Sequence, residues 1–216
     1  MAAERALASE GKIDLGPLGF WRAVTATKQR PDLVEAFADR IAVVDREAFE
    51  RWAVLKLPPG TGTALSMAAT AGGLALIGWS SRLEGGAQGL TLLAGTGVVM
   101  TATHGLAHWV VARAQGIKVS HWFVGSWRMP QPGIKVDYAT YLRTPARQRA
   151  WMHASGAIVT KLVPFIALGA GRAMKAPGWS LLALGVVGVA QVGTDLIWST
   201  KASDWKKFKR EMALAQ

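Results

Sequence analysis

The sequence predicts an all-α membrane protein with four transmembrane helices, a short cytoplasmic β-hairpin insertion and an N-terminal amphipathic helix. Three observations predict this fold: four long apolar runs, an uneven distribution of Lys and Arg between them, and polar segments with regular apolar periodicity. Half of the 216 residues are apolar and only 18% are charged, which suits one membrane domain with modest polar additions.

The four apolar runs are 20 to 23 residues long, and a helix needs about 20 residues to cross a hydrocarbon core of roughly 30 Å. The third run contains Lys161 and Pro164, which are features of a broken or re-entrant helix. The predicted spans are Thr61–Ser80, Leu90–Ala112, Trp151–Ala170 and Trp179–Trp198.

The positions of Lys and Arg predict the orientation of these spans, because cytoplasmic segments retain basic residues. Residues 1–60 hold nine of them, residues 113–150 hold seven and residues 201–216 hold five. By contrast, residues 81–89 hold one and residues 171–178 hold two. Both termini and the segment between the second and third spans are therefore expected in the cytoplasm.

Two polar segments carry secondary-structure signals of their own. Between Pro31 and Pro58, apolar residues recur every three or four positions, which predicts an amphipathic helix that lies at the interface or packs on the bundle. Residues 117–124 alternate apolar and polar side chains, and residues 134–138 follow after two prolines and a glycine. This pattern indicates two short β-strands joined by a turn.

The chain therefore divides into a cytoplasmic N-terminal segment (1–60), a four-helix membrane domain (61–200) whose loop 113–150 carries the strands, and a basic cytoplasmic tail (201–216). Charges throughout the first thirty residues leave no apolar stretch typical of a cleavable signal peptide. The net charge of +11 follows from membrane topology, and no nucleic-acid motif is present. We expect the lipid bilayer and other membrane subunits as partners, and no nucleic acid.

Polar residues inside the spans indicate a metal site. The chain has no cysteine, so a metal ion must be bound by His, Asp or Glu. His104 and His108 are four residues apart and share one face of the second span. Asp195, in the fourth span, lies at a similar depth below the cytoplasmic end, so the predicted ligands are His104, His108 and Asp195.

Other roles for these residues stay open. Lys161 lies near the middle of the third span and is a natural ion-pair partner for Asp195, because a charge inside a membrane seeks an opposite charge. In that case Asp195 binds no metal. His121 and His153, at the cytoplasmic boundary, are further candidates for the third ligand.

The string T-H-G-L-A-H-W-V-V-A-R-A-Q-G-I, Thr103–Ile117, resembles the zinc-binding helix of the site-2 protease family of intramembrane metalloproteases, whose motif is H-E-x-x-H. The family places β-strands after this helix, then a helix with a small-residue motif, to which Arg147–Lys161 is similar. A later helix supplies an Asp as third zinc ligand. The resemblance thus implies zinc as the cofactor and Asp195 as that ligand.

One position departs from the family motif in a way that bears on activity. Gly105 stands where the family has the Glu that takes a proton from the zinc-bound water, and Gly has no side chain for this step. The sequence therefore predicts a non-proteolytic binding or scaffold subunit with no catalytic residue. Two alternatives remain: an atypical active metalloprotease, or an accessory subunit of an electron-transfer or pigment complex in which a His binds haem or chlorophyll.

Overall fold

The structure is a computed structural model that describes residues 2–7, 11–126, 129–197 and 203–215. In these ranges, nine helices alternate with one small sheet. The helices are α1 (Ala2–Ala6), α2 (Phe20–Lys28), α3 (Pro31–Trp52), α4 (Pro59–Ser80), α5 (Gly85–Ala114), α6 (Tyr138–Arg143), α7 (Ala146–Ala173), α8 (Gly178–Ile197) and α9 (Asp204–Ala213). The strands are β1 (Leu55–Leu57), β2 (Val119–Ser126) and β3 (Met129–Val136).

The four longest apolar helices form a bundle in which α4 packs on α5, α5 on α7, and α7 on α8. Glycines let α4 and α5 approach closely: a Cβ atom built on Gly95 would lie 2.8 Å from the carbonyl oxygen of Gly73. Small residues at such contacts let helix backbones meet, which is the packing typical of helices in membranes.

Three of these helices, α4, α5 and α7, are long and apolar enough to cross a membrane. As far as it is described, α8 does not meet this criterion of length and hydropathy, and the polar residues Gln191 and Asp195 lie in its last turns. All four helices nevertheless expose large apolar side chains, as soluble proteins rarely do over a wide surface. Examples are Leu65, Leu90, Ile166, Leu182 and Val189. The predicted end of the fourth span, Trp198, lies outside the described residues.

The third predicted span is a continuous helix rather than a broken one. Helix α7 includes Pro164 in its interior and begins at Ala146, five residues before the predicted start of the span. Pro164 is fully buried. Neighbouring helices and local adjustments of the backbone can satisfy the carbonyl group that a proline leaves without a donor in a membrane helix.

The polar segments pack together at one end of the bundle around a second apolar core. Val24 of α2, Ile41 and Val44 of α3, Ala112 of α5 and Tyr141 of α6 are all buried in this core. The amphipathic helix predicted between the two prolines is therefore confirmed as α3, and its apolar face packs against protein. It ends at Trp52, because Ala53 is extended and the chain then enters β1.

The predicted β-hairpin is confirmed, and the sheet has one strand more than expected. β2 and β3 are antiparallel, with Trp122 opposite Ile134, and their connecting residues 127–128 lie outside the described part. The additional strand, β1, pairs with β2 through Lys56 opposite Phe123. Its three residues are too few to show a strand period in the sequence. The sheet brings Trp122 against the start of α4 at Gly62.

Candidate metal centre

His104 and His108 lie one turn apart on α5 and turn their imidazoles toward each other. Their Nε2 atoms are 3.3 Å apart, and the ring planes are perpendicular. This is the arrangement expected from their spacing, since residues four apart lie on the same face of a helix. The structure therefore brings together two of the three predicted ligands.

The third member of the group is Asp204, the first residue of α9. Its Oδ2 atom lies 3.2 Å from Nε2 of His108 and 3.3 Å from Nε2 of His104. Ser203 caps the helix, because its side chain accepts a hydrogen bond from the backbone N–H of Lys206. Among the described residues, these three are the His, Cys, Asp or Glu side chains that cluster closely enough to hold a metal ion.

Hydrogen bonds to Nδ1, on the far side of each ring, determine which ring nitrogen carries the proton. Nδ1 of His108 lies 2.7 Å from the carbonyl oxygen of Met152, which only accepts, so Nδ1–H donates. Nδ1 of His104 lies 2.8 Å from the Thr160 hydroxyl, which donates its own proton to the Gly156 carbonyl. With Nδ1–H donating in each ring, Nε2 is the nitrogen that faces the centre, and in the neutral form of the ring it presents a lone pair there, as metal-binding histidines do.

Three acceptor atoms thus converge, two imidazole nitrogens and one carboxylate oxygen, separated by 3.2 to 3.3 Å. Acceptors repel one another unless a cation lies between them. Ligand atoms at about 2.0–2.1 Å from a tetrahedral zinc ion are about 3.3–3.4 Å from one another. The distances among these three atoms therefore fit a tetrahedral divalent ion.

A glycine on the neighbouring helix α7 provides the space for His108. A Cβ atom at Gly156 would lie 2.3 Å from Nε2 of His108. The same residue accepts the hydrogen bond from Thr160 that orients His104. Gly156 therefore supports both imidazoles, one by leaving space and the other through its carbonyl group.

The group is partly exposed rather than fully enclosed. The side chain of His104 is 34% exposed, against 18% for Asp204 and 11% for His108. A metal with three protein ligands and an open side keeps a fourth position for water or a ligand, whereas structural zinc sites are closed by four protein ligands.

The charge of Asp204 also suits a metal ligand. Burial raises the pKa of its carboxyl, and the nearby ammonium group of Lys207 lowers it. The other oxygen, Oδ1, lies 3.1 Å from Nζ of Lys207, one turn along α9. The carboxylate is thus oriented by Lys207, and its ionised form is the one that binds metals.

A buried ionic cluster holds α9 in this position. Glu211 lies seven residues after Asp204 on the same helix, and its carboxylate accepts a hydrogen bond of 2.7 Å from Nε of Arg149 and another from Lys28. The Tyr141 hydroxyl donates to it as well, at 2.9 Å. These contacts tie α9 to α2, α6 and α7, and so place Asp204 beside the two imidazoles.

Position 105 faces an aromatic ring rather than a free space. A Cβ atom at Gly105 would lie 2.4 Å from Cζ3 of Trp122, and one at Gly62 would lie 2.2 Å from Cγ of the same residue. Nε1 of Trp122 donates to the Thr63 hydroxyl at 3.2 Å. Trp122 therefore fills the region into which a general-base side chain at position 105 would extend.

The predicted third ligand, Asp195, is engaged elsewhere. Its carboxylate forms an ion pair with Lys161, whose Nζ also donates to the Ala157 carbonyl at 3.3 Å. The ion pair between Lys161 and Asp195, one of the two alternatives left open by the sequence, is thus the arrangement found in the structure. The cluster contains Asp204 in the position expected for Asp195.

The two other histidines lie outside the cluster. The Tyr141 hydroxyl donates its proton to Glu211, so Nε2–H of His153, 2.9 Å away, donates to that hydroxyl. The ring of His121 packs beside Phe49 with centroids 5.8 Å apart, and its buried Nδ1 atom has no hydrogen-bond partner among the described residues.

Sequence reasoning missed Asp204, although a signal was present. Asp204 and Glu211 are the only acidic residues in the basic tail 201–216, and a spacing of seven places them on one face of a helix. Both are buried or half-buried in the structure.

Comparisons with known proteins give no assignment. No protein-family model, curated protein or solved structure matches the chain. The resemblance to the site-2 protease family therefore remains a prediction from the residues around His104 and His108. What the centre can do chemically is inferred from its geometry.

Proposed function

We propose that this chain is a membrane protein of site-2-protease type that holds a zinc ion through His104, His108 and Asp204 and has lost peptide hydrolysis. The observation that carries the proposal is the convergence of three lone-pair-bearing atoms at 3.2 to 3.3 Å. The protein acts as a binding or scaffold subunit, and the open side of the metal is where a ligand binds.

Zinc suits the donor set better than other abundant divalent ions. Two imidazoles and one carboxylate are ligands that zinc accepts in a tetrahedral site, whereas calcium and magnesium prefer oxygen ligands in larger numbers. The rival to a metal ion is a proton shared between one imidazole and Asp204. That arrangement needs no third ligand, yet here both imidazoles are oriented toward the carboxylate by separate partners, Met152 and Thr160.

Peptide hydrolysis is disfavoured because, among the described residues, no base is placed for it. A positioned general base contributes about 10² to 10⁴ in rate. In the described part of the chain, Asp204 is the one carboxylate of the cluster, and it serves as a ligand. Gly105 cannot supply the base, and Trp122 fills the adjoining space.

A haem or chlorophyll ligand is a poorer account of the two histidines. An axial ligand needs an open plane several ångströms wide beyond its nitrogen. Nε2 of each imidazole instead faces the other at 3.3 Å and Asp204 at 3.2 to 3.3 Å. This spacing suits a small cation.

We further propose that α8 is a fourth span and that both termini lie in the cytoplasm. The support is the exposed apolar surface of α8, with Leu182 and Val189 more than 60% exposed, and the accumulation of Lys and Arg in the polar segments. The chain has no cysteine, so single cysteines test the topology directly. Ala215→Cys should resist an impermeant thiol reagent in intact cells, whereas Ala87→Cys should react; labelling of Ala215→Cys in sealed cells would overturn the orientation.

The function is tested with the purified protein in lipid nanodiscs. We expect about one zinc ion per chain, no absorption in the Soret region, and no cleavage of a membrane-peptide library with or without zinc. Chelator-sensitive cleavage would establish an active protease instead. A protein that binds neither zinc nor another divalent ion would refute the metal centre.

A further inference from the structure

A second site lies at the polar end of the molecule, and Lys207, which contacts Asp204, is one of its lining residues. A cavity of about 740 Å³ is bounded by α2, α3, α6, α9 and the sheet. This volume is within the range of about 300–1,000 Å³ typical of small-molecule sites. None of His104, His108 and Asp204 lines the cavity.

The walls of the cavity are mostly apolar and aromatic. The aromatic side chains among them are Trp21, Phe49, Trp52, Phe123, Tyr138 and Tyr141. Phe49 and Phe123 meet edge to face, with centroids 5.1 Å apart, so this wall is held by its own packing. Such walls suit the apolar body of an organic ligand, flat or aliphatic.

One end of the cavity carries an excess of buried positive charge. Lys28 lines it, and Lys28 shares the single carboxylate of Glu211 with Arg149 in the described part of the chain. All three side chains are buried, with 12% exposure for Lys28, 5% for Glu211 and 4% for Arg149. Two cations therefore face one anion at a place where solvent compensates poorly.

A second buried pair in the cavity wall is balanced. Lys135, another lining residue, is paired with Asp45, which is buried beside it. The charge asymmetry thus lies at the Lys28 end, and an anion bound there would compensate it.

We propose that this cavity binds an apolar organic carboxylate, with its carboxylate beside Lys28 and its body against the aromatic walls. A fatty acid and an aromatic acid share this chemistry. The ammonium group of Lys28, 4.9 Å from the Tyr141 ring centroid, is held at the boundary between the charged and the aromatic parts.

The proposal is tested by photolabelling the intact protein in nanodiscs, where crosslinked residues distinguish the cavity from the bilayer. The probes are an alkyl diazirine carboxylate and 4-benzoylbenzoate, each compared with its primary amide. We expect saturable crosslinks to residues 20–28 or 134–141 from at least one acid, and about tenfold less from its amide, the effect of roughly 1.4 kcal/mol of charge recognition. The acid that labels better identifies the aliphatic or the aromatic source.

Two variants check the assignment. Lys28→Gln should reduce labelling by the acids about tenfold and leave the weak labelling by the amides unchanged. Because Lys28 also contacts Glu211, a second variant acts on the exposed rim: Thr25→Trp should block labelling, whereas Ala26→Trp, exposed on the same helix and not lining the cavity, should not. Equal labelling by acid and amide, or labelling that survives Thr25→Trp, would overturn the proposal.

Discussion

The ring of Trp122 occupies the space beside Gly105, so that a Cβ atom added at position 105 would lie 2.4 Å from Cζ3 of the indole. Trp122 comes from β2 and Gly105 from α5, so the sheet and the helix bundle are joined at this contact. The same position holds the general base in the family that the sequence resembles. The absence of a side chain at position 105 and the tight seating of the sheet are therefore linked through one pair of residues.

This contact predicts that Gly105→Ala destabilises the protein, although alanine is the better helix former. Overpacking typically costs about 1–3 kcal/mol, which exceeds the gain of about 1 kcal/mol from replacing glycine in a helix. Gly97→Ala, on the same helix with open space around its Cβ position, is the matched control and should be neutral or stabilising. Thermal unfolding in nanodiscs measures both.

Trimming the indole should relieve the cost. In the background Trp122→Leu, Gly105→Ala should become neutral, giving a coupling of at least about 1 kcal/mol between the two sites. Gly105→Glu alone should be destabilised and should hydrolyse no peptide. Equal melting temperatures for Gly105→Ala and Gly97→Ala would show that Trp122 does not constrain position 105.

Gly156 predicts a separate effect on metal binding. In Gly156→Ala the new methyl group would lie 2.3 Å from Nε2 of His108, so the imidazole must turn away from the centre. We expect zinc affinity to fall at least about tenfold, as when the orientation of a metal ligand is disturbed. Gly169→Ala, on the same helix with nothing within 4 Å of its Cβ position, should bind zinc as the wild type does.

The contacts of Glu211 with Lys28, Arg149 and Tyr141 predict that replacing Glu211 destabilises α9. Glu211→Gln leaves Lys28 and Arg149 buried without their carboxylate, which typically costs about 3–5 kcal/mol. Amide exchange of residues 204–213 should accelerate first, because those residues depend on this anchor. Glu35→Gln is the control, since the Glu35 side chain is 82% exposed and its removal should change stability by less than about 0.5 kcal/mol.

The same anchor predicts a pH dependence. Burial alone would raise the pKa of the Glu211 carboxyl, but Lys28 and Arg149 outweigh burial and hold the pKa below its ordinary value. A carboxyl with a lowered folded-state pKa stabilises the fold above its unfolded pKa of about 4.3 and loses this contribution as pH falls further. The stability difference between wild type and Glu211→Gln should be constant from pH 7 to pH 5 and shrink below about pH 4.3; a constant difference down to pH 3 would contradict it.

Local patterns in the sequence predicted most of the fold. Apolar runs predicted the long helices, and the alternation after residue 117 predicted β2, because each pattern depends on one element alone. The three residues of β1 gave no period of their own, since their strand conformation comes from pairing with β2. Residues 53–57 therefore continue the helical pattern of apolar residues in the sequence, but in the structure they are extended.

The candidate site was predictable in part for the same reason. His104 and His108 face each other because of their spacing on one helix, whereas the carboxylate beside them depends on how a distant helix docks. Asp195 and Asp204 were indistinguishable by residue type. The structure distinguishes them: Asp195 pairs with Lys161, whereas Glu211 anchors α9 and places Asp204 beside the two imidazoles.

The most direct test of the metal centre is the zinc content of three purified proteins after equilibration with equal free zinc: wild type, Asp204→Asn and Asp195→Asn. We predict about one zinc per chain in the wild type and in Asp195→Asn, and at least about tenfold weaker binding in Asp204→Asn, because an amide is a poor substitute for a carboxylate ligand. Loss of zinc in Asp195→Asn with full retention in Asp204→Asn would contradict the assignment of Asp204 as the third ligand.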